Sequence, residues 1–390
     1  MNVLLYEKTD ASCEAALVED GSLVEFFPFP DSALPAVGQV YLGRCARVMK
    51  SLQAVFVRLD GKYEGFLPFQ EAAGAQPKTG DVLMVQVKKA PSRGKAAYLT
   101  CDIALPGRYA MLLPRGSGVH VSARIEDQSQ RAAVKAMGRQ LAPDGMGLVM
   151  RSASLEADEA AVQEEVSALA GCWQALASKA KRSSAPCLLS EPEHPINALL
   201  RELDGRVDRV LTNDSSLQVD GDIPCAFSEH PFLLYRVRES LHKAMRRKVY
   251  MKNGGTLIID PCEAMTVIDV NTASHTAGRS AERTVMDINR EAVREAARLL
   301  RLRRTGGIVV IDLIDMPDEE SRSMVLDELK DALKHDRVKT TVHGFTSLGL
   351  LEMTRRRTGE SLAAERLALC PACGGSGIAP HDMGGADDAG

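Results

Sequence analysis

Two apolar strings, MTVIDVN (residues 265–271) and GGIVVIDLIDM (306–316), decide the fold of this chain. Both are short, rich in Val and Ile and bounded by polar or Gly residues, which is typical of buried strands. Between them lies ERTVMDINREAVREAARLLRLR (282–303), whose apolar residues recur at helical spacing and predict an amphipathic helix at Arg283–Arg303. A strand, a helix and a second strand joined by so long a crossover predict a parallel βαβ unit.

Each of these two strands reaches an aspartate, Asp269 in the first and Asp312 in the second. Parallel strands end on the same side of a sheet, where α/β proteins bind their ligands. We therefore expect the two carboxylates to converge, with Asn271 projecting from the same face and Asp315 nearby. Two carboxylates, an amide and water suit octahedral Mg²⁺. The alternative is that the aspartates cap the following helices or begin solvated loops.

Together with HGFTSLGLLEMTRRR (343–357) and CPACGGSG (370–377), these strings resemble, in the same order, the ribonuclease E/G family. The resemblance runs over nearly the whole chain and suggests a short, ribonuclease G-like member. It implies that Asp269 and Asp312 bind a catalytic Mg²⁺ and that Asn271 supports them. The implied activity is endonucleolytic cleavage of single-stranded RNA in rRNA or mRNA processing or decay, leaving 5′-phosphate and 3′-hydroxyl ends.

Two other functions stay open at this point. The first is a non-cleaving RNA-binding or ribosome-assembly factor on the same scaffold, which the intact set of Asp269, Asn271 and Asp312 disfavours. The second is a deoxyribonuclease, which the two carboxylates alone do not exclude. A single-strand-binding barrel in the N-terminal half argues against it.

Residues 36–103 contain the evidence for that barrel. Five short β-like runs follow one another at near-regular spacing, broken by Gly, Asp-Gly and Pro: GQVYLGRCARVM, LQAVFVRL, EGFLPF, DVLMVQVKK and AAYLTC. This pattern predicts a small antiparallel barrel of the OB type.

For the whole chain, the family resemblance implies a mixed α/β fold that includes this barrel. The implied segments are an RNase H-like portion in two parts (1–35 and 196–245), an inserted S1 barrel (36–104), a 5′-sensor-like segment (105–195), a DNase I-like catalytic subdomain (246–365), a zinc-link (366–376) and a disordered tail (377–390).

Three residues of the barrel match positions that the family uses to hold RNA: Phe56, Phe66 and Lys95. OB-type barrels bind single strands by stacking bases on exposed aromatic rings beside cationic side chains. The alternative is that both phenylalanines belong to the core of the barrel.

A pocket for a 5′-monophosphate is implied at Gly107, Met111, Arg151, Ser152 and Lys339. Arg151 and the Ser152 hydroxyl are suitable phosphate donors. Ser152 replaces the family's usual threonine and Lys339 its usual arginine, and a lysine offers a point charge in place of a planar fork. Arg151 could instead be a surface salt-bridge residue.

Cys370 and Cys373 have the CxxC spacing of a zinc knuckle, and the other seven cysteines are scattered singly, as expected of reduced thiols. A structural Zn²⁺ takes four ligands. The family resemblance implies that two chains share one Zn²⁺, which makes the protein a homodimer. Free thiols or a redox pair are the alternatives.

Composition and charge set limits on the functional classes. The net charge of −4 argues against a protein that binds nucleic acid purely by its overall charge, but it leaves room for a local basic groove. Candidate phosphate contacts are Arg355-Arg356-Arg357, Arg301/Arg303/Arg304 and Arg246-Arg247-Lys248. The sequence has neither a signal peptide nor a run apolar enough to span a membrane, so we expect a cytoplasmic protein.

Overall fold

The computed structural model describes residues 1–10, 12–29, 34–74, 76–91, 94–190, 194–203, 205–219, 223–272, 281–316 and 318–367. The chain divides into two compact units. The C-terminal unit comprises Met1, Ala16–Phe27 and His230–Gly390, and the N-terminal unit comprises Asn2–Ala15 and Pro28–Glu229. Within the described ranges, no helix combines the length and the apolar character needed to cross a membrane.

The elements follow in chain order. The strands are β1 (Asn2–Lys8), β2 (Cys13–Glu19), β3 (Ser22–Phe29), β4 (Val40–Met49), β5 (Ala54–Arg58), β6 (Glu64–Pro68), β7 (Val82–Lys89), β8 (Ala97–Thr100), β9 (Leu105–Pro106), β10 (Ala110–Leu113), β11 (Val119–Val121), β12 (Gly147–Met150), β13 (Cys187–Leu188), β14 (Arg209–Thr212), β15 (Cys225–Phe227), β16 (Lys248–Tyr250), β17 (Thr256–Pro261), β18 (Met265–Asn271), β19 (Gly307–Asp312), β20 (Thr340–Phe345) and β21 (Leu351–Arg355). The helices are α1 (Gln128–Leu141), α2 (Glu159–Arg182), α3 (Pro195–Leu203), α4 (Pro231–Leu234), α5 (Val237–Ala244), α6 (Ala281–Leu302), α7 (Glu319–Leu333) and α8 (Leu362–Arg366).

Strands β4 to β8 form the predicted barrel in the N-terminal unit. Their order is β4-β5-β6-β8-β7, and a further pairing of β4 with β7 closes the sheet on itself. All of these pairs are antiparallel except β6 with β8. Alternate residues, including Val55, Val57, Leu67 and Leu99, are fully buried and fill the interior. The sequence prediction of an OB-like barrel is confirmed.

The remainder of the N-terminal unit contains two further small assemblies. Strands β9 to β12 form a four-stranded sheet in the order β11-β12-β10-β9, and α1 and α2 pack against it. Leu112, Leu148 and Val162 are fully buried in this second core. Separately, β1 and β14 run parallel to each other, and β15 runs parallel to β14.

The C-terminal unit is built on a six-stranded mixed sheet, ordered β16-β17-β18-β19-β21-β20. Strands β18 and β19 are the predicted parallel pair, and α6 connects them. Helix α6 packs on β17 and β18 and also against α7. Ile268 and Ile311 are fully buried, whereas the alternate residues Val267 and Val310 are only partly covered. One face of the sheet is therefore the core and the other is open.

A buried ionic network lies within the same unit. Arg301, on α6, donates to both oxygens of Glu19, at 2.6 and 3.0 Å, and to Glu25 at 2.9 Å. Arg337 donates to the second oxygen of Glu25 at 2.6 Å. Both Arg301 and Glu25 are less than a tenth exposed. Such a network is expected to be sensitive to the loss of any one member, since removal leaves an unpaired buried charge.

Several elements were not predicted from the sequence. Among them are β2 in residues 1–35 and β21, which lies between β19 and β20 in the sheet. Helix α1 was also not predicted, and it buries only Val134 and Gly138.

Candidate active site

The two aspartates of the predicted pair are direct neighbours in the sheet. Asp269 on β18 and Asp312 on β19 occupy the same position of the parallel register. Neighbouring strands are about 4.8 Å apart, so the two carboxylates start from adjacent backbone positions. Asp269 is half-buried and Asp312 exposed, while Ile268 and Ile311 before them are fully buried. Both carboxylates therefore stand on the open face of the sheet.

Asn271 lies beside the first carboxylate. Its Nδ2 donates a hydrogen bond of 2.6 Å to Asp269 Oδ2, which fixes the orientation of that side chain. A polar cleft open to solvent surrounds the pair, and its lining is formed by Asp269, Val270, Asn271, Thr272, Asp312, Leu313, Ile314 and Asp315.

The helix-capping alternative does not apply to Asp312. Asp318 is the N-cap of α7, and its side chain accepts a hydrogen bond from the Ser321 amide. Asp269 is followed by Val270, Asn271 and Thr272, none of which is helical.

The donor set of this cleft fits a hard divalent cation. Mg²⁺ is commonly bound in proteins by one or two carboxylates and completes its octahedron with water. Asp269 and Asp312 supply two carboxylates in an open, polar cleft. Among the described residues, no group of three or more His, Cys, Asp or Glu side chains forms a closed protein cage for a metal.

On the barrel, the aromatic residues form a continuous row. Phe56 on β5 is paired with Phe66 on β6, and Phe66 with Tyr98 on β8. The ring centroids are 5.7 Å apart in the first pair and 6.2 Å in the second. We call these three rings and the cation at each end of them the aromatic row; its members are Arg47, Phe56, Phe66, Tyr98 and Lys89.

The cations at the ends of the row contact its rings. The Arg47 guanidinium lies 4.3 Å from the Phe56 centroid, and Lys89 Nζ lies 5.6 Å from the Tyr98 centroid. Phe56, Phe66 and Tyr98 are all partly exposed, in contrast to the fully buried Val55 and Leu67 of the same strands. The three rings thus lie on the outer surface of the barrel.

The sequence prediction named Phe56 and Phe66 but missed the other three members of the row. Lys95, also predicted, is exposed just before β8. Strand β7 lies between Phe66 and Tyr98 in the chain, so only the parallel pairing of β6 and β8 reveals that the two rings are close together. The sequence offered one signal for Tyr98. Side chains alternate between the two faces of a strand, so Tyr98 is on the other face of β8 from the buried Leu99.

The residues predicted to hold a 5′-phosphate fall in both units. Gly107, Met111, Arg151 and Ser152 belong to the N-terminal unit, whereas Lys339 is an exposed residue of the C-terminal unit. Met111 is paired with Val149 across β10 and β12. The Arg151 guanidinium donates to the carbonyl oxygens of Gly107, at 2.9 Å, and Arg201, at 2.8 Å. Arg151 therefore braces the backbone of this segment.

A carboxylate that was not predicted from the sequence binds the backbone amides that follow Gly107. Glu165, on α2, accepts hydrogen bonds from the amides of Arg108, Tyr109 and Ala110 at 2.5, 2.8 and 2.9 Å. Successive backbone N–H groups of this kind form a concavity that favours an anion. A side chain of the protein itself supplies that anion here.

The basic stretches separate into buried and exposed arginines. Arg303 donates to the carbonyl oxygens of Ala244 and Arg246, and burial lowers its pKa to about 10. Arg355 is paired with Asp336, and both side chains are 3% exposed. Together with Arg301 in the ionic network, these arginines stabilise the fold. The expectation that they contact phosphates is wrong, because their guanidinium groups are already bonded inside the protein.

Exposed members of the same stretches are Arg246, Arg247, Lys248, Arg356 and Arg357. Arg247 makes a two-point contact with Asp260, at 2.5 and 2.7 Å. The predicted zinc ligands, Cys370 and Cys373, lie outside the described residues, as does the tail 377–390.

Comparisons with known proteins identify the family of the chain. The sequence model of the ribonuclease E/G family matches residues 104–358, a span that includes Asp269, Asn271 and Asp312. The chain is 37% identical to ribonuclease G of Escherichia coli over 408 residues, covering 96% of this chain and 83% of that protein. It is 34% identical to ribonuclease G of Haemophilus influenzae, with the same coverage. Ribonuclease E of a Nostoc species is 34% identical over 87% of this chain and 54% of its own length.

Proposed function

The chain belongs to the ribonuclease E/G family, and we propose that it is an endoribonuclease whose reaction centre is the cleft between Asp269 and Asp312. The observation that carries this assignment is the register of β18 and β19, which makes the two carboxylates neighbours on an open face. The substrate is single-stranded RNA, and the role is RNA processing or decay. The expected cytoplasmic location remains a prediction.

Asp269 and Asp312 would hold the Mg²⁺, with water completing its coordination. When bound, such an ion polarises a phosphoryl oxygen and lowers the pKa of a water molecule. Asn271 keeps the Asp269 carboxylate oriented through its 2.6 Å hydrogen bond. In the reaction, water attacks the phosphorus and the bond to the 3′ oxygen breaks. One product keeps the phosphate on its 5′ end, and the other ends in a 3′-hydroxyl.

The aromatic row of the barrel would hold the RNA strand. Bases stack on exposed aromatic rings whatever their sequence, and cations beside the rings contact the phosphates. Phe56 and Phe66 provide the first two rings, and Lys95 a further cation near the start of β8. The negative net charge of the chain is compatible with this, because binding depends on the local surface.

Finer parts of the assignment are also proposals. Strands β1, β14 and β15 would belong to the RNase H-like portion, β4 to β8 to the S1 domain, and the sheet from β16 to β21 to the DNase I-like subdomain. Gly107, Met111, Arg151, Ser152 and Lys339 would form the 5′-monophosphate pocket. Cys370 and Cys373 would share one Zn²⁺ with a second copy, which gives a homodimer.

The test of the function compares the wild type with Asp269→Asn and Asp312→Asn, using a short, 5′-monophosphorylated single-stranded RNA and Mg²⁺. We expect internal cuts in the wild type and none in either variant or in EDTA, with RNA affinity largely retained. Asp260→Asn is the matched control, because Asp260 lies near the end of the neighbouring strand β17 but is paired with Arg247. It should still cleave.

Cleavage by either variant at the wild-type rate would disprove the proposed reaction centre. If the wild type binds the RNA through the barrel but does not cut it, the chain is an RNA-binding factor and the carboxylate pair needs another explanation.

A further inference from the structure

The segment that follows Asp312 has neither helical nor strand structure. It comprises Leu313, Ile314, Asp315 and Met316, and three of these line the candidate cleft. Backbone N–H and C=O groups in such a segment need partners other than those of a regular ladder. Where these partners come from decides how firmly Asp312 and Asp315 are held.

Asn289, on α6, supplies partners for both polar groups of Ile314. Its Nδ2 donates to the Ile314 carbonyl oxygen at 2.7 Å, and its Oδ1 accepts from the Ile314 amide at 3.1 Å. A side-chain amide that both donates to and accepts from one residue fixes the position and the rotation of that backbone. Arg322, on α7, donates to the Met316 carbonyl oxygen at 3.2 Å and holds the far end of the segment.

The surroundings of Asn289 favour this specific role. Its side chain is fully buried, and Ile288 and Ala292 beside it on α6 are also buried. An amide in such a position is unfavourable unless its hydrogen bonds are made, whereas a leucine would bury apolar surface without that requirement. Helix α6 therefore has a polar side chain on its core-facing surface at the position where the backbone of the segment after Asp312 needs hydrogen-bond partners.

We infer that Asn289 is a positioning residue. It holds the segment after β19 so that the Asp312 carboxylate is already oriented to bind a divalent cation. This inference rests on the proposed function, because it assumes that Asp269 and Asp312 bind the ion. It differs from that function in assigning the geometry of the site to a residue that does not line the cleft.

The experiment measures Mn²⁺ binding to the whole chain without RNA, by the electron paramagnetic resonance signal of free Mn²⁺. The variants are Asn289→Ala and Asn289→Leu, the second of which keeps the branched shape and the number of non-hydrogen side-chain atoms but cannot make either hydrogen bond. We expect Mn²⁺ affinity to fall by about 10-fold, the lower end of the effect of losing a direct partner of a metal ligand, because Asn289 acts on Asp312 only through the backbone of Ile314. Cleavage should then recover as Mg²⁺ is raised.

Two controls separate positioning from general stability. Asn197→Ala removes another buried asparagine, whose Nδ2 donates to the Gln218 carbonyl oxygen in the N-terminal unit. It should lower the unfolding temperature without changing Mn²⁺ affinity. Asp312→Asn should abolish binding at the cleft and so identifies the Mn²⁺ signal with this site.

The outcomes distinguish the two proposals. If Asp312→Asn loses Mn²⁺ but both Asn289 variants bind it as tightly as the wild type, the inference is overturned and the proposed function stands. If the wild type itself binds no Mn²⁺ at this cleft, both fail. Hydrogen exchange on the metal-free wild type covers the case in which neither variant folds. Slow exchange of the Ile314 amide supports the inference, and exchange at the rate of an open loop overturns it.

Discussion

Replacement of Tyr98 by alanine tests how far the RNA-binding surface extends across the barrel. The aromatic row provides three rings at centroid spacings of 5.7 and 6.2 Å. Each base stacked on an aromatic ring contributes about 1–3 kcal/mol when measured by alanine substitution. Loss of the Tyr98 ring should therefore raise the Kd for single-stranded RNA by roughly 5- to 150-fold. Tyr98→Phe keeps the ring and should bind like the wild type.

The assay is fluorescence anisotropy with a short labelled single-stranded RNA, in an Asp312→Asn background that prevents cleavage. Salt must be held constant, because phosphate contacts make the affinity strongly dependent on ionic strength. Phe69→Ala is the matched control, since Phe69 belongs to the same barrel but packs against its core. It should lower stability and leave RNA affinity unchanged in the folded fraction.

Two results would contradict the argument in different ways. If Tyr98→Ala binds as the wild type while Phe56→Ala and Phe66→Ala bind more weakly, the stacking surface ends at Phe66. If none of the three changes affinity in a folded protein, the row is not the RNA-binding surface.

Three further predictions concern stability, specificity and assembly. Asp336→Ala should lower the free energy of unfolding by about 3–5 kcal/mol in urea titration, because it leaves Arg355 buried without its carboxylate; Asp331→Ala, which breaks an exposed pair, should have no measurable effect. A functional 5′ pocket predicts faster cleavage of a 5′-monophosphorylated RNA than of its 5′-hydroxyl form. Equal cleavage rates would show that the chain does not recognise the 5′-phosphate. A shared zinc site predicts about half a zinc per chain in metal analysis, falling to none in Cys370→Ser with Cys373→Ser; a full equivalent per chain would contradict sharing.

The sequence by itself determined the elements whose physical signal is local. Val- and Ile-rich runs of strand length and a helix with strong apolar periodicity predicted β18, α6 and β19. The rule that a long crossover joins parallel strands then brought Asp269 and Asp312 to one edge, which is where the structure has them. The five runs of the barrel were visible for the same reason, because turn residues separate short alternating strands.

Weak local signals account for what was missed within the chain. Half of the residues of helix α1 are polar and only Val134 and Gly138 are buried, so few of its residues give an apolar signal. Strand β2 contains Glu14, Ala15 and Ala16, residue types that are depleted in strands, although the Asp20-Gly21 turn before β3 was an available signal for a hairpin.

Tertiary structure alone decided which polar residues are buried and which side chains meet. Arg301, Arg303 and Arg355 look like exposed phosphate contacts in the sequence, yet each is bonded inside the fold. Tyr98 joins Phe66, and Asn289 reaches Ile314, only through pairings distant in the chain. Burial and contact depend on what the rest of the chain places opposite a residue. A local pattern contains no information on that neighbour, so the carboxylate pair could be predicted and the residue that holds its segment could not.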